Sequence, residues 1–175
     1  RSGAVGIRDM REDGDYASPT VTSAGGAGTV NRLTVPREDL TTTGQAGVRA
    51  EVATGPVLHR LNAGVSALRT ANNNGYEFGA TTAINLYDMV AVARPRTTLA
   101  AGMVGDPPKV SETVLKSAYA SDTLSVLDDR VMLTVGLRQQ NIQVRGYNRT
   151  TGARTSAYDE TALTPVAGIV DKPWK

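Results

Sequence analysis

The chain reads as an all-β protein: an antiparallel up-and-down meander of about six long strands. Three observations carry that reading. Apolar residues recur at every second position in several segments, and few windows hold them at helical spacing. Tight turns alternate with long polar connections. Gly, Thr, Val and Ser are spread along the whole length, a composition that suits strands and turns better than helices.

Each element can be justified in order. Residues 2–9 read as a short strand. In Gln45–Ala53, Ala46, Val48, Ala50 and Val52 fall on one face, and Gln45, Gly47, Arg49 and Glu51 on the other. In Val57–Arg69, Val57, Leu61, Ala63, Val65 and Ala67 share a face that His59 interrupts, with Arg60, Asn62, Gly64 and Ser66 opposite. Thr113–Ser125 is strand-compatible, but its apolar phase is open between Leu115/Tyr119 and Val114/Ala118/Ala120/Leu124. In Val131–Gln140, Val131, Leu133, Val135 and Leu137 alternate with Met132, Thr134, Gly136 and Arg138. Thr161–Val170 is a strand containing Pro165, which points to an edge or a bulge. Successive strand side chains point to opposite faces, so the clean segments each carry one apolar and one polar face.

The connections differ in length. Thr54-Gly55-Pro56 is a tight turn, 126–130 is short, and Asp171-Lys172-Pro173 begins another turn. Between them lie expected polar connections over 10–43, 70–112 and 146–159, rich in Gly, Asn, Thr, Ser and Pro. The expected strands, roughly 9–13 residues each, exceed the usual ~5–6 of soluble sheets. Long strands, one apolar face and asymmetric loops are the pattern of an outer-membrane β-barrel. Alternating strands also build soluble sandwiches and closed soluble barrels, and a passive porin or adhesin wall would share the pattern.

Composition narrows the classes. The 175 residues include no Cys, which excludes disulfides, thiolate catalysis and Cys-based zinc sites. Nineteen Lys and Arg against 17 Asp and Glu leave a net charge of +2 with no basic run, so nucleic acid is not an expected partner. No stretch approaches the ~20 apolar residues of a membrane helix. Aromatic residues make up only 5%, few for a soluble core and few for the aromatic girdles of a barrel. The chain opens at Arg1-Ser2-Gly3 without Met or a signal-peptide core, as expected of a processed or internal segment.

A family resemblance enters in the C-terminal third. Leu127-Asp128-Asp129-Arg130 followed by Val131–Arg138 resembles a recurring hairpin of TonB-dependent siderophore receptors, in which an acidic-Arg turn precedes a strand of the type L-x-L-x-x-G-x-R. Tyr147–Arg154 resembles the loop that follows, and Thr164–Pro173 the next strand, usually T-P-x-x-G-x-x-Y-K-P. Asp171 stands where the family often has Tyr. Upstream, Thr54–Leu61 resembles another turn and strand start, and Asn85-Leu86-Tyr87-Asp88 resembles an N-L-Y-[ND]-P segment without its Pro. The resemblance spans about residues 44–175.

What it implies is a Gram-negative outer-membrane importer of ferric siderophores, a barrel of about 22 strands closed by an N-terminal plug. The chain would be a partial barrel domain over 1–175 with the plug absent. Its partners would be the ferric siderophore, outer-membrane lipid and, through the plug, the TonB complex. Iron would enter only as the siderophore's cargo, with no cofactor bound directly. The resemblance places ligand recognition on extracellular loops, making Tyr76, Phe78, Tyr87, Tyr147, Arg149, Arg154 and Tyr158 candidates. Arg49, Glu51, Arg60 and Arg138 would face the lumen and meet plug or ligand. An isolated six-strand piece would self-associate through its unpaired edges.

Enzymatic chemistry finds little footing. His59 is the single histidine, and an interface or lumen role suits it better than a catalytic base. Asp128-Asp129 is a turn-forming pair. Glu12-Asp13-Gly14-Asp15 lacks the spacing and closing Glu of a calcium loop. Ala24–Gly28 lacks the Lys-Ser/Thr of a phosphate loop.

Overall fold

The computed structural model describes residues 1–88, 90–91, 93–94, 96 and 101–173. Part of the expected 70–112 connection therefore lies outside the described residues. Six long antiparallel strands form one sheet: β1 (Ser2–Val21), β2 (Ala27–Thr54), β3 (Val57–Asn74), β6 (Lys109–Val126), β7 (Val131–Tyr147) and β8 (Arg154–Asp171), paired in that order. Two short strands, β4 (Glu77–Phe78) and β5 (Thr82–Asn85), pair with the upper part of β2. A single helical turn, α1 (Ala101–Gly105), precedes β6. The meander is the expected one.

The register sorts every side chain. Arg60 lies opposite Glu51, Arg49 opposite Asn62, and Arg138 opposite Tyr119, which itself faces Gly64. Arg49, Glu51, Arg60 and Arg138 therefore share one polar face. The other face carries Val48, Val52, Leu61, Val65, Leu133, Val135, Leu137 and Ile169, and on β1 Val5 and Ile7. The open phase of β6 resolves accordingly: Val114, Ala118, Ala120 and Leu124 join the apolar face, and Leu115 and Tyr119 the polar one. No buried apolar core exists among the described residues, and Val5 and Ile7 are 91% and 79% exposed. A sheet with a continuous apolar face and no core is a wall that needs cover from outside the chain.

The strands are much longer than the sequence pattern suggests. The expected connections over 10–43 and 146–159 are mostly strand: β1 and β2 pair from Ser2↔Gly47 to Val21↔Gly28, and β7 runs to Tyr147 before β8 begins at Arg154. The physical reason is that these extensions stand beyond the apolar band. Their faces are not divided into apolar and polar (on β2, Leu33 and Val35 stand on one face and Val30 and Leu40 on the other), so the period-two signal vanishes although the backbone ladder continues. Pro36 sits in the middle of β2 without interrupting the β1 pairing. The β3 pairing stops at Arg37↔Asn74 beside it, and the Pro36 carbonyl accepts the Gly75 N–H at 2.9 Å. Pro165 on β8 pairs with Leu137 of β7, and among the described residues β8 has no partner on its other side, so Pro165 sits on an edge strand.

The two ends of the wall differ. At one end β2 turns into β3 through Gly55-Pro56, with Gly55 at φ +61°, and β6 into β7 through residues 127–130. At the other end lie the 75–108 connection, the 148–153 loop and the tip of the β1–β2 hairpin, where Gly26 adopts φ +84°.

Candidate functional site

At the short-turn end, Leu127, Asp128 and Asp129 occupy three consecutive left-handed positions, with φ 56°, 54° and 66°. Such positions cost an L-residue roughly 1–2 kcal/mol each, least for Asp. The polar face supplies the compensation. Arg60 Nη2 donates to both carboxylate oxygens of Asp129, at 3.0 and 2.9 Å, and Ser125 Oγ donates to the same carboxylate. Arg60 Nε also lies 3.5 Å from Glu51. The Arg60 hydrogen bonds, followed by that of Ser125, hold the Asp129 carboxyl down at about 2.

On the apolar face at the same end, Thr54 Oγ1 lies 2.7 Å from His59 Nε2, and His59 Nδ1 lies 2.6 Å from Asp122 Oδ2. These three groups tie β2, β3 and β6 together. Asp122 Oδ1 is enclosed without a partner among the described residues.

Higher on the polar face, hydroxyls bridge neighbouring strands: Ser66 with Ser117 at 2.9 Å, Thr123 with Thr134 at 2.9 Å, and Thr41 with Thr70 at 3.1 Å. Arg138 Nη2 donates to Ser117 Oγ at 3.4 Å. Arg49 lies on this face and makes no ion pair with a described residue.

The loop end joins residues that are distant in sequence. Arg149 Nη1 donates to the Tyr76 carbonyl at 2.7 Å, and its guanidinium sits 4.3 Å from the centre of the Tyr76 ring. The 148–153 loop is shaped by Asn148, whose side-chain oxygen accepts the N–H groups of Thr150 and Thr151 at 2.9 Å, and by Gly152 at φ +68°. The Tyr87 ring packs in the space that a side chain at Gly26 would need. Phe78 lies on β4 opposite Leu33.

Four residues expected on loops lie on strands: Phe78 is on β4, Tyr147 is the last residue of β7, and Arg154 and Tyr158 belong to β8. For Phe78 the reason is the short pairing of β4 with β2, and for the other three it is the strand extensions above. Tyr158 faces Val144 on the polar side. Of the loop candidates, Tyr76 and Arg149 are brought together.

One cluster escaped sequence reasoning. Glu112, only 8% exposed, accepts from Lys109 Nζ at 2.7 Å and Arg69 Nε at 2.5 Å, with Arg145 Nη1 at 3.9 Å. Tyr147 Oη lies 3.5 Å from the same carboxylate, and the Lys109 ammonium sits 4.9 Å from the Tyr147 ring centre. Among the described residues no three His, Cys, Asp or Glu are placed to hold a metal ion.

A family model described as TonB dependent receptor-like, beta-barrel matches residues 5–175. The chain belongs to the TonB-dependent receptor β-barrel family. Its six-strand meander is a section of an outer-membrane barrel wall. The chain is similar to the ferrichrome receptor FcuA of Yersinia enterocolitica, at 30% identity over 173 residues, covering 99% of this chain and 23% of that protein. In fold it matches BauA, the ferric preacinetobactin receptor of Acinetobacter baumannii, with a TM-score of 0.71 at 21% identity over 98% of this chain and 25% of that one. The chain thus spans about a quarter of the length of the two receptors it matches.

Proposed function

We propose that the chain is part of the wall and loops of a Gram-negative outer-membrane receptor that binds ferric siderophores at its outer mouth and imports them with energy delivered through TonB. The observation that carries the reading is the match along nearly the whole chain to a ferrichrome receptor. The geometry agrees with it. The apolar face suits lipid, the polar face suits a water-filled interior, and the long-loop end suits the extracellular side. The TonB contact and the plug belong to the proposal alone, as does the absence of enzymatic activity.

At the mouth, tyrosine rings offer surfaces for a siderophore's organic shell, and arginines offer forked donors for its carboxylate or hydroxamate oxygens. Tyr76, Phe78, Tyr87, Tyr147, Arg149, Arg154 and Tyr158 supply these groups, and Arg49, Glu51, Arg60 and Arg138 line the interior below. Iron is cargo, carried within the chelate.

The test is uptake of labelled ferric hydroxamate siderophore by iron-starved cells carrying or lacking the full-length gene. Loss of uptake on deletion, restored by the gene and dependent on TonB, is the expected result. Uptake unchanged by deletion for hydroxamate, catecholate and citrate-type chelates would overturn the proposal. A separate expectation concerns the isolated chain: with both edge strands unpaired and its apolar face uncovered, it self-associates. Light scattering that shows only monomer at high concentration would count against that.

A further inference from the structure

The interior face is not polar throughout. Leu68, Leu115 and Ile142 lie side by side across β3, β6 and β7, a row of apolar side chains on the polar side of the sheet. The next row towards the short turns is Gln45, Ser66, Ser117 and Gln140, an amide at each end and two hydroxyls between. One row further on, Arg138 stands opposite Tyr119. Neighbouring strands lie ~4.8 Å apart, so the amide–hydroxyl row runs about 14 Å across the wall. With Leu68 and Leu115 above it and Arg138 below, it lines a depression of about 240 Å³.

Only the middle of this row is satisfied within the wall. The Ser66 and Ser117 hydroxyls are 2.9 Å apart, and Arg138 Nη2 donates to Ser117 Oγ at 3.4 Å. The Gln45 and Gln140 side chains make no hydrogen bond with a described residue. Each amide carries two donors and an acceptor, and Arg138 keeps further donors beyond the one that Ser117 takes. Charge around the row is low. Glu160 on β8 stands opposite Ile142 one row above, Arg138 lies one row below, and Arg49 on β2 a row further down.

Such a lining suits a solute that offers carbonyl oxygens and N–H groups, carries little net charge and can rest an apolar flank on the leucines. We propose that Gln45, Ser66, Ser117, Arg138 and Gln140 form a second station for the ferric chelate on the interior wall, and that it takes a chelate of low net charge with amide or hydroxamate groups at its rim. Gln140 lies seven residues short of Tyr147 on β7, about 24 Å along the strand at ~3.4 Å per residue. The station is therefore separate from the candidate groups at the loop end. The two amides hold the rim of the chelate, Arg138 meets its oxygens, and Leu68 and Leu115 cover its apolar flank. The proposal rests on the receptor reading above. In that reading a plug fills the interior at rest, so the station serves a chelate in transit and leaves equilibrium binding at the mouth unchanged.

The experiment uses the full-length receptor in iron-starved cells, with a labelled, neutral ferric trihydroxamate chelate as the probe. Binding is read on cells lacking TonB, and uptake on cells that have it. Gln45→Ala/Gln140→Ala is expected to lower the maximal uptake rate about fivefold and to leave the binding Kd within about twofold. An unchanged maximal rate, or a Kd weakened as much as the rate falls, would overturn the station. If the double variant does not reach the outer membrane, Gln140→Ala alone takes its place. A fall of at least about twofold is then expected, and an unchanged rate counts against the station in the same way. Faster wild-type uptake of a strongly anionic ferric tris-catecholate chelate than of the neutral one would overturn the assigned ligand class. Wild-type cells that take up no chelate remove the receptor reading and the station together, whereas wild-type uptake matched by the variants removes the station alone.

Discussion

The two ends of the wall are held together in different ways. At the short-turn end the ties join neighbouring strands close to their hairpins: Arg60 with Asp129, Ser125 with Asp129, and His59 between Thr54 and Asp122. At the loop end the tie between Arg149 and Tyr76 spans 73 residues of sequence and joins two connections, with no ladder between them. The first kind of tie fixes the register of the wall. The second sets the shape of the loop end and can be lost without loosening the wall beneath it.

Mutations can separate these roles. Asp122→Ala carries the largest expected effect. It removes the acceptor that His59 Nδ1 faces at 2.6 Å, and with it one side-chain tie between β3 and β6 near the turns, at a cost of about 1–3 kcal/mol. The full-length receptor refolded into lipid should show a lower urea midpoint across the whole barrel. A midpoint equal to wild type would mean that this tie does not fix the register. Arg149→Ala is expected to act locally. It loses one charge-assisted hydrogen bond and one cation–ring contact, together about 1 kcal/mol, with the effect confined to hydrogen exchange of residues 75–79 and 148–153. Accelerated exchange in β6 or β7 would erase the distinction between the ends.

The smallest expected effect is one of pH. The folded Asp129 carboxyl is lowered from 3.8 to about 2, so its contribution is fully present above pH 3.8 and fades as pH falls towards 2. Acid should therefore loosen the 127–130 turn before the 148–153 loop. Exchange at the turn should lose this acid dependence in Asp129→Asn. Persistence of the dependence in that variant would assign it to another group.

What was legible in the sequence follows the same physics. Strands 45–53, 57–69, 131–140 and 161–170 could be read because one face is apolar and the other is not. Their extensions could not, since a ladder whose two faces carry the same mixture of side chains leaves no periodic trace. The phase of β6 was hidden by Tyr119, an aromatic residue on the polar face. It lies across Gly64, where an added Cβ would come within 2.8 Å of its hydroxyl. Of the candidate site, the shared face of Arg49, Glu51, Arg60 and Arg138 was readable from alternation alone. The Arg149–Tyr76 contact was not, because no local pattern links residues so far apart. The Glu112 cluster was missed because β6 begins at Lys109, before the alternating stretch from Thr113 that marks it in the sequence.

The central claim is that the short turns face the periplasm and the long loops face outward, and labelling of single cysteines in living cells tests it most directly. The chain contains no native Cys, so within this segment each introduced thiol reports alone. In the full-length receptor, Thr151→Cys should react with a membrane-impermeant maleimide on intact cells. Asp128→Cys should react only after the outer membrane is permeabilised. Labelling of Asp128→Cys on intact cells, with Thr151→Cys protected, would contradict the account.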